Sequence, residues 1–473
     1  MNFVFYDLET TGRSTHWDQI IQVAAIYTDP NLNILDQINE VCRLKSFCLP
    51  NPEALLVNKI SINTLTNSNL SLFELAKNIS KKFKKWSPAI FIGYNSILYD
   101  EEILRNTFFS NLIDPYLTIK NDNLRADLIN SVRVSNYFHP EIIKSKINQQ
   151  GNPILKLEDI AYVNGISNFT AHDALGDTNA TIELSKLIKE RLPNLWNIGF
   201  SNLKKKEIEK KILEKPFCHL ETYFGRTKAY FLSFIDYHPF YKWALCFDLR
   251  KNPSEILQLD DAKFCKLLEE SPKVIRNIKL NKSPFIIPIE YMKDINYALD
   301  PSLEEIFKRH NFILENKEFR TRVTKFFEER INSLEKTSSQ IDLYAEETIY
   351  KNFIKRNDAE TAKDFHNGSW NERLLIRNKF KDERLNYFAN LIIYEEQPQL
   401  LEKDLVKKIQ RTICERLLSN NNEKWLTIYN AYKIIDDLRA KDNIQNNYTT
   451  LSFLDDLNKY IETVEKKLQK YTI

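Results

Sequence analysis

The chain has 473 residues, 43% of them hydrophobic and 28% charged, and a formal net charge of +3; this is the make-up of a globular protein with room for two or three cores, and its charge alone does not mark a nucleic-acid binder. No apolar run approaches the ~18 residues that cross a bilayer, which argues against a membrane protein. The 6 cysteines form no Cys-x-x-Cys pair and the 8 glycines form no Gly-x-Gly-x-x-Gly or Gly-Lys, so nothing supports a zinc site or disulfide framework, and the pattern argues against both a P-loop and a dinucleotide-binding loop.

Segment 3–9, Phe-Val-Phe-Tyr-Asp-Leu-Glu, is apolar enough for a buried strand. The chain enters it at once, so neither a signal nor a transit peptide is expected, and a reducing cytoplasm suits the cysteines. Ile20–Asp29 and Ile34–Leu44 read as neighbouring strands. A helix follows over Ser71–Trp86, with Leu72, Leu75, Ala76, Ile79 and Phe83 on one face. Next come a strand at 90–95 and a helix carrying Asp100. This alternation predicts an α/β domain with a mixed sheet over 1–190. A boundary near 191–215 is marked by Arg191-Leu192-Pro193 and a lysine-rich stretch. The runs Lys81-Lys82, Lys84-Lys85, Lys204-Lys205-Lys206 and Lys210-Lys211 read as solvated helix faces rather than a DNA track.

Pro216–Phe224, Tyr230–Ile235 and Trp243–Leu249 read as strands, with turns at Gly225-Arg226-Thr227 and Asp236-Tyr237-His238-Pro239. Trp243, Leu245, Phe247 and Leu249 alternate with Ala244, Cys246 and Asp248, which predicts a strand buried on one face only. A small β domain with helices is expected over 191–343. From about 345 the pattern is helical, including Arg384–Glu395 and Tyr460–Leu468, so 344–473 is expected to be an all-helical domain.

Three segments carry the chemistry: Asp7-Leu8-Glu9-Thr10-Thr11-Gly12, Asn95-Ser96-Ile97-Leu98-Tyr99-Asp100, and His172-Asp173-Ala174-Leu175-Gly176-Asp177. Residues two apart on a strand share a face, so Asp7 and Glu9 project together. Side-by-side anions repel unless a cation lies between them. Adding Asp100 and Asp177 makes a four-carboxylate set, matched to two Mg²⁺ or Mn²⁺ ions of the kind that cleave phosphodiesters. His172, with an ordinary pKa near 6.5, is the candidate general base for the attacking water. The other histidines, His16, His139, His219, His238, His310 and His366, read as structural.

The order and spacing of these segments resemble the DEDDh 3′-to-5′ exonucleases, whose fold is ribonuclease H-like. Nearly the whole chain resembles the bacterial exonuclease I family. The resemblance is carried by Phe5-Tyr6-Asp7-Leu8-Glu9-Thr10, Ile92-Gly93-Tyr94-Asn95 leading to Tyr99-Asp100-Glu101-Glu102, Asp114-Pro115-Tyr116, Leu157-Glu158-Asp159, Asn164-Gly165-Ile166 and Ala171-His172-Asp173-Ala174. Phe224-Gly225, His238-Pro239 and Ile349-Tyr350-Lys351-Asn352-Phe353 extend it thinly into an SH3-like accessory domain and the C-terminal helical domain. The resemblance implies a monomeric, processive, single-strand-specific DNA exonuclease of DNA repair that releases 5′-mononucleotides. It implies metal ligation by Asp7, Glu9, Asp100 and Asp177, with His172 as base. It further implies DNA contacts by Arg105, Tyr116, Arg133 and Lys156, and docking to the C-terminal tail of single-strand DNA-binding protein. Lys156 stands where the family commonly has Arg, losing the bidentate fork. Lys120 falls near an expected aromatic, so a phosphate contact is expected in place of a stacking one.

Three other readings compete. An RNA-trimming enzyme of the oligoribonuclease kind would share the catalytic residues but is usually a lone nuclease domain. A polymerase proofreading subunit should carry a short binding tail rather than further folded domains. A degenerate nuclease kept as a binding module should have lost at least one of the five catalytic residues.

Overall fold

The computed structural model describes residues 1–167, 173–200, 203–223, 225–335 and 343–471. His172, the expected base, and Phe224 lie outside the described residues. The chain divides into two compact units, one of Met1–Leu124, Asn168–Ile182 and Asp342–Ile473, the other of Arg125–Ser167 and Glu183–Ile341.

In the first unit the expected strands form as β1 (Asn2–Thr10), β2 (Ile20–Thr28), β3 (Ile34–Val41) and β4 (Ala89–Gly93). β2 lies between β1 and β3, antiparallel to both, and β4 runs parallel to β1 on its other side. Phe3, Val4, Phe5 and Tyr6 are all buried, as a central strand covered on both faces requires. Helices α1 (Pro52–Asn58) and α2 (Ile62–Asn67) precede α3 (Leu72–Trp86). α3 starts with a capping box, Ser71 accepting from the Glu74 N–H and Glu74 from the Ser71 N–H. Its predicted face packs with Val4, Tyr6 and Val23. Lys82 and Lys85, from the lysine run, pair with Asp36 on β3 at 2.8 and 3.4 Å. α4 (Asp100–Ser110) follows β4.

The helices after residue 355 belong to this same unit. Arg356–Asn367, Glu383–Glu396, Lys403–Leu417, Ile428–Arg439 and Tyr448–Gln469 are amphipathic, and their apolar faces bury a cluster that also takes in Leu55, Ile62, Leu65, Phe73 and Phe109. Phe109 of α4 meets Phe388 edge-on at 5.1 Å.

The second unit contains α5 (Leu128–Phe138), α6 (Leu157–Val163) and a five-stranded antiparallel sheet. The sheet order is Ile275–Ile278, Ala244–Asp248, Arg226–Tyr237, Phe217–Tyr223, Ile287–Pro288. Three expectations change here: Arg226 and Thr227, expected in a turn with Gly225, instead open the strand Arg226–Tyr237 and pair with Tyr223 and Thr222. The strand Arg226–Tyr237 runs through Asp236 and Tyr237, so the turn begins at His238, whose N–H reaches the Trp243 carbonyl at 2.7 Å. The strand Ala244–Asp248 is buried on both faces, not one. Ala244 and Cys246 pack with Ile208 and Ile212 of the helix Lys205–Glu214, while Phe247, pointing the other way, meets Phe319 at 5.4 Å. Helices on both sides turn a half-polar pattern into an interior strand. Among the described residues, no helix is long and apolar enough to cross a membrane.

Candidate active site

β1 presents Asp7 and Glu9 on one face, opposite Ala24 and Gln22 of β2. A third carboxylate comes from α7 (Ala174–Arg191), whose first turn carries Asp177. Asp7, Glu9 and Asp177 each offer an oxygen, all lying within 4.8 Å of one another. Asp100, buried at the first residue of α4, adds its charge: it raises the pKa of both Asp7 and Glu9. Burial, then Asp100, Glu9, Asp177 and Asp173, holds Asp7 well above the usual carboxylate range. Burial, then Asp177, Asp100 and Asp173, pushes Glu9 from 4.5 up to about 8. Half-buried carboxylates that repel one another this strongly are short of a cation, and hard oxygen donors at this spacing fit Mg²⁺ or Mn²⁺. Three of the four predicted carboxylates, Asp7, Glu9 and Asp177, are therefore brought together, and Asp100 stands near enough to raise the pKa of Asp7 and Glu9, while His172 is outside the described residues.

Local structure holds the three segments together. Gly93 ends β4 where a Cβ would sit 2.4 Å from that of Ser96 and 3.1 Å from the Tyr6 carbonyl oxygen, so only glycine lets the chain turn this close to β1. Asn95 then takes a left-handed conformation, φ 59°. The Tyr99 hydroxyl bonds Thr10 Oγ1 at 2.8 Å and donates to the Gly12 carbonyl, tying the loop after β1 to the residue before Asp100.

Glu101 has no accessible surface and was not singled out as functional from the sequence. Its carboxylate accepts from Tyr6 Oη of β1 at 3.1 Å, from Thr118 Oγ1 at 2.6 Å and from Arg105 Nε at 2.9 Å. It thus joins β1 to α4. Arg105 reaches the Tyr350 hydroxyl with Nη1 at 3.4 Å, keeps Nη2 unpaired, and lies 5.3 Å from the centre of the Tyr116 ring. The Tyr350 hydroxyl donates to Glu102. Phe353, 81% exposed, sits 5.9 Å from Tyr116. Arg105, Tyr116, Tyr350 and Phe353 therefore gather on the first unit. Lys120 is paired with Asp114 at 2.5 Å and lies over Tyr116 at 5.7 Å, so part of its charge is already satisfied.

Arg133 and Lys156 belong to the second unit. Arg133 is half-buried on α5 with Nη1 on Asn130 at 2.8 Å, and Lys156 is exposed at the N-cap of α6. The other six histidines each make hydrogen bonds that suit structural roles: His16 with Asn106, His139 with Tyr291, His219 with the Phe285 carbonyl, His238 with the Phe240 and Tyr241 N–H groups, His310 with Ser233, and His366 with the Asn111 carbonyl.

Two further residues at the site escaped sequence reasoning. Gln22 donates to Asp173 Oδ1 at 2.9 Å, and Asp173 Oδ2 accepts from the Gly176 N–H at 3.1 Å, capping the helix that carries Asp177. A lone amide inside the apolar run Ile20-Ile21-Gln22-Val23 was the available signal, because a buried amide needs a partner.

Residues 4–185 match the family described as Exonuclease, and residues 203–329 the one described as Exonuclease I SH3-like domain. Exodeoxyribonuclease I of Buchnera aphidicola subsp. Schizaphis graminum is 30% identical over 406 residues, covering 81% of each chain. That of Buchnera aphidicola subsp. Baizongia pistaciae is 31% identical over 422 residues, covering 85% of each. The crystal structure of E. coli exonuclease I in complex with a dA16 oligonucleotide superposes with a TM-score of 0.79 at 23% identity, over 98% of this chain and 99% of that one. That likeness establishes the fold: a ribonuclease H-like exonuclease domain with a mixed sheet, an SH3-like β domain and a helical C-terminal region.

Proposed function

The chain belongs to the exodeoxyribonuclease I family, and on that premise we propose that it hydrolyses single-stranded DNA from the 3′ end, processively, releasing 5′-mononucleotides in DNA repair. The observation that carries the reading is the convergence of Asp7, Glu9 and Asp177 within 4.8 Å, with Asp100 adding to their repulsion. These four are the residues that would hold two divalent cations, Mg²⁺ with Mn²⁺ as substitute. Bound there, the ions supply charge neutralisation and Lewis acidity at the scissile phosphate. His172 takes a proton from the attacking water. The new P–O bond forms as the bond to the leaving 3′ oxygen breaks, so the terminal nucleotide departs with its 5′ phosphate. Arg105 and Tyr116, together with Arg133 and Lys156, contact the strand, by phosphate pairing and base stacking. The RNA-trimming reading is disfavoured by relatives that match along most of the chain and are exodeoxyribonucleases.

We propose domains of 1–190, 191–343 and 344–473, a monomer, a cytoplasmic location, and docking to the C-terminal tail of single-strand DNA-binding protein. Sedimentation and titration with a labelled tail peptide test the monomer and the docking. The main test uses a 5′-labelled single-stranded oligonucleotide with Mg²⁺, beside a blunt duplex and an RNA of the same sequence, with Asp7→Ala as control. A ladder shortening from the 3′ end on single-stranded DNA alone, absent in the variant, is expected. Equal or preferred trimming of RNA would overturn the substrate assignment, and no cleavage with either metal would overturn the enzymatic one.

A further inference from the structure

Beside the four predicted carboxylates, a fifth acidic side chain, Asp173, bears on this site, and it has a different job. Asp173 adds to the repulsion felt by Asp7 and Glu9, so its presence among them needs a compensating reason. Its bonds supply one. Oδ2 accepts the Gly176 N–H at 3.1 Å and its backbone carbonyl accepts the Asp177 N–H at 2.9 Å, so Asp173 opens the first turn of α7. Oδ1 accepts from Gln22 Nε2 at 2.9 Å, a bond spanning 151 positions of sequence. Gln22 lies directly across from Glu9 in the β1–β2 ladder, and directly opposed residues project to the same face. The same Nε2 also donates to Asn39 Oδ1 on β3 at 3.0 Å. The buried amide is therefore pinned from one side and pulls on the helix cap from the other.

We infer that Gln22 and Asp173 are positioning residues of the metal site, their side-chain bond holding Asp177 against Asp7 and Glu9. The inference rests on the reading of these carboxylates as metal ligands. The sequence Glu9, Gln22, Asp173, Asp177 closes a ring: ladder pairing, side-chain bond, helix cap, ligand. Without the Gln22 donor, the helix terminus bearing Asp173 and Asp177 loses its bond to β2, while the repulsion from Asp7 and Glu9 stays until cations bind. Loss of the bond should therefore show mainly in how much metal is needed to assemble the site. It should show little in the rate once the site is full.

The test is Mn²⁺ binding to the full chain without DNA, followed by electron paramagnetic resonance. Mg²⁺ titration of activity and thermal unfolding run alongside. Gln22→Ala is expected to weaken Mn²⁺ binding and raise the half-saturating Mg²⁺ by roughly 10–100-fold, the usual scale for residues that orient metal ligands, with kcat at saturating Mg²⁺ within about 3-fold of wild type. Gln22→Glu opposes two carboxylates and should be worse. Adding Asp173→Asn to Gln22→Glu restores a donor–acceptor pair with the roles exchanged, and should recover Mn²⁺ affinity. A merely structural bond would lower the unfolding midpoint in every variant and leave the affinity of the folded protein unchanged. Wild-type affinity in Gln22→Ala, or no recovery in the double variant, overturns the inference. If the wild type binds Mn²⁺ but trims no DNA, the proposed function fails while the positioning role is still read from binding.

Discussion

Replacing Glu9 by Gln should make the metal-free protein more stable, and increasingly so as pH rises. The unfolded chain releases the Glu9 proton near 4.5, whereas the folded, metal-free site keeps it to about 8, because burial and then Asp177, Asp100 and Asp173 disfavour the anion. Below pH 4.5 both states are protonated and Glu9 does not bear on folding. Through the window from 4.5 to 8 the unfolded state gains by ionising and the folded state does not, so stability falls, levelling off above 8. At pH 7 and 1.36 kcal/mol per unit, the cost is about 3 kcal/mol, and partial solvent access brings it to roughly 1–3 kcal/mol. Glu9→Gln removes this cost. Urea unfolding in EDTA at pH 5 and pH 8.5 measures it: the variant should gain little at the lower pH and the full margin at the higher. Saturating Mg²⁺ should reverse the order, since the wild type alone keeps every ligand. A stability difference independent of pH, or a wild type that is the more stable at pH 8.5 in EDTA, would refute the argument.

Asp7→Ala should lower exonuclease turnover by about a thousandfold or more, on the scale of several kcal/mol of metal-borne stabilisation, as read by single-turnover kinetics. Chelation should stop hydrolysis, and Mg²⁺ or Mn²⁺ should restore it; cleavage that persists in EDTA would contradict the metal site. Glu101→Ala strands the Arg105 guanidinium, 9% exposed at its side chain, and should cost about 3–5 kcal/mol in denaturant unfolding. Phe353→Ala should weaken single-stranded DNA binding by about 1–3 kcal/mol, measured by anisotropy in EDTA. Because Phe353 is exposed, its unfolding midpoint should not move; unchanged affinity would remove it from the strand's path.

What could be read from the sequence was local. Asp7 and Glu9 share a face because a strand repeats every two residues, and the ladder register with Ala24 and Gln22 bears this out. The apolar face of α3 follows equally from helical spacing. Long-range partners were not legible. Glu101 reads as one more acid at a helix start, and only tertiary packing brings Tyr6 and Thr118 to it. Gln22 and Asp173 belong to separate segments with no shared period. The alternation around Ala244–Asp248 was read correctly as a pattern, yet helices covering both sides of the sheet bury its polar half as well. Periodicity reports what a segment can present to its surroundings, not what will cover it.

The shared core of α1–α4 and the late helices bears on how this enzyme could be divided. Leu55, Ile62, Leu65, Phe73 and Phe109 are closed off by side chains arriving from beyond residue 355, including Phe365, Phe388 and Ile435. A gene cut after the exonuclease segment would encode every proposed metal ligand yet leave that apolar surface open to water and to other chains. The catalytic portion is thus not a detachable cassette. Fusion or shuffling that borrows it must carry the C-terminal helices along, and a frameshift late in the gene would be felt as insolubility of the nuclease itself.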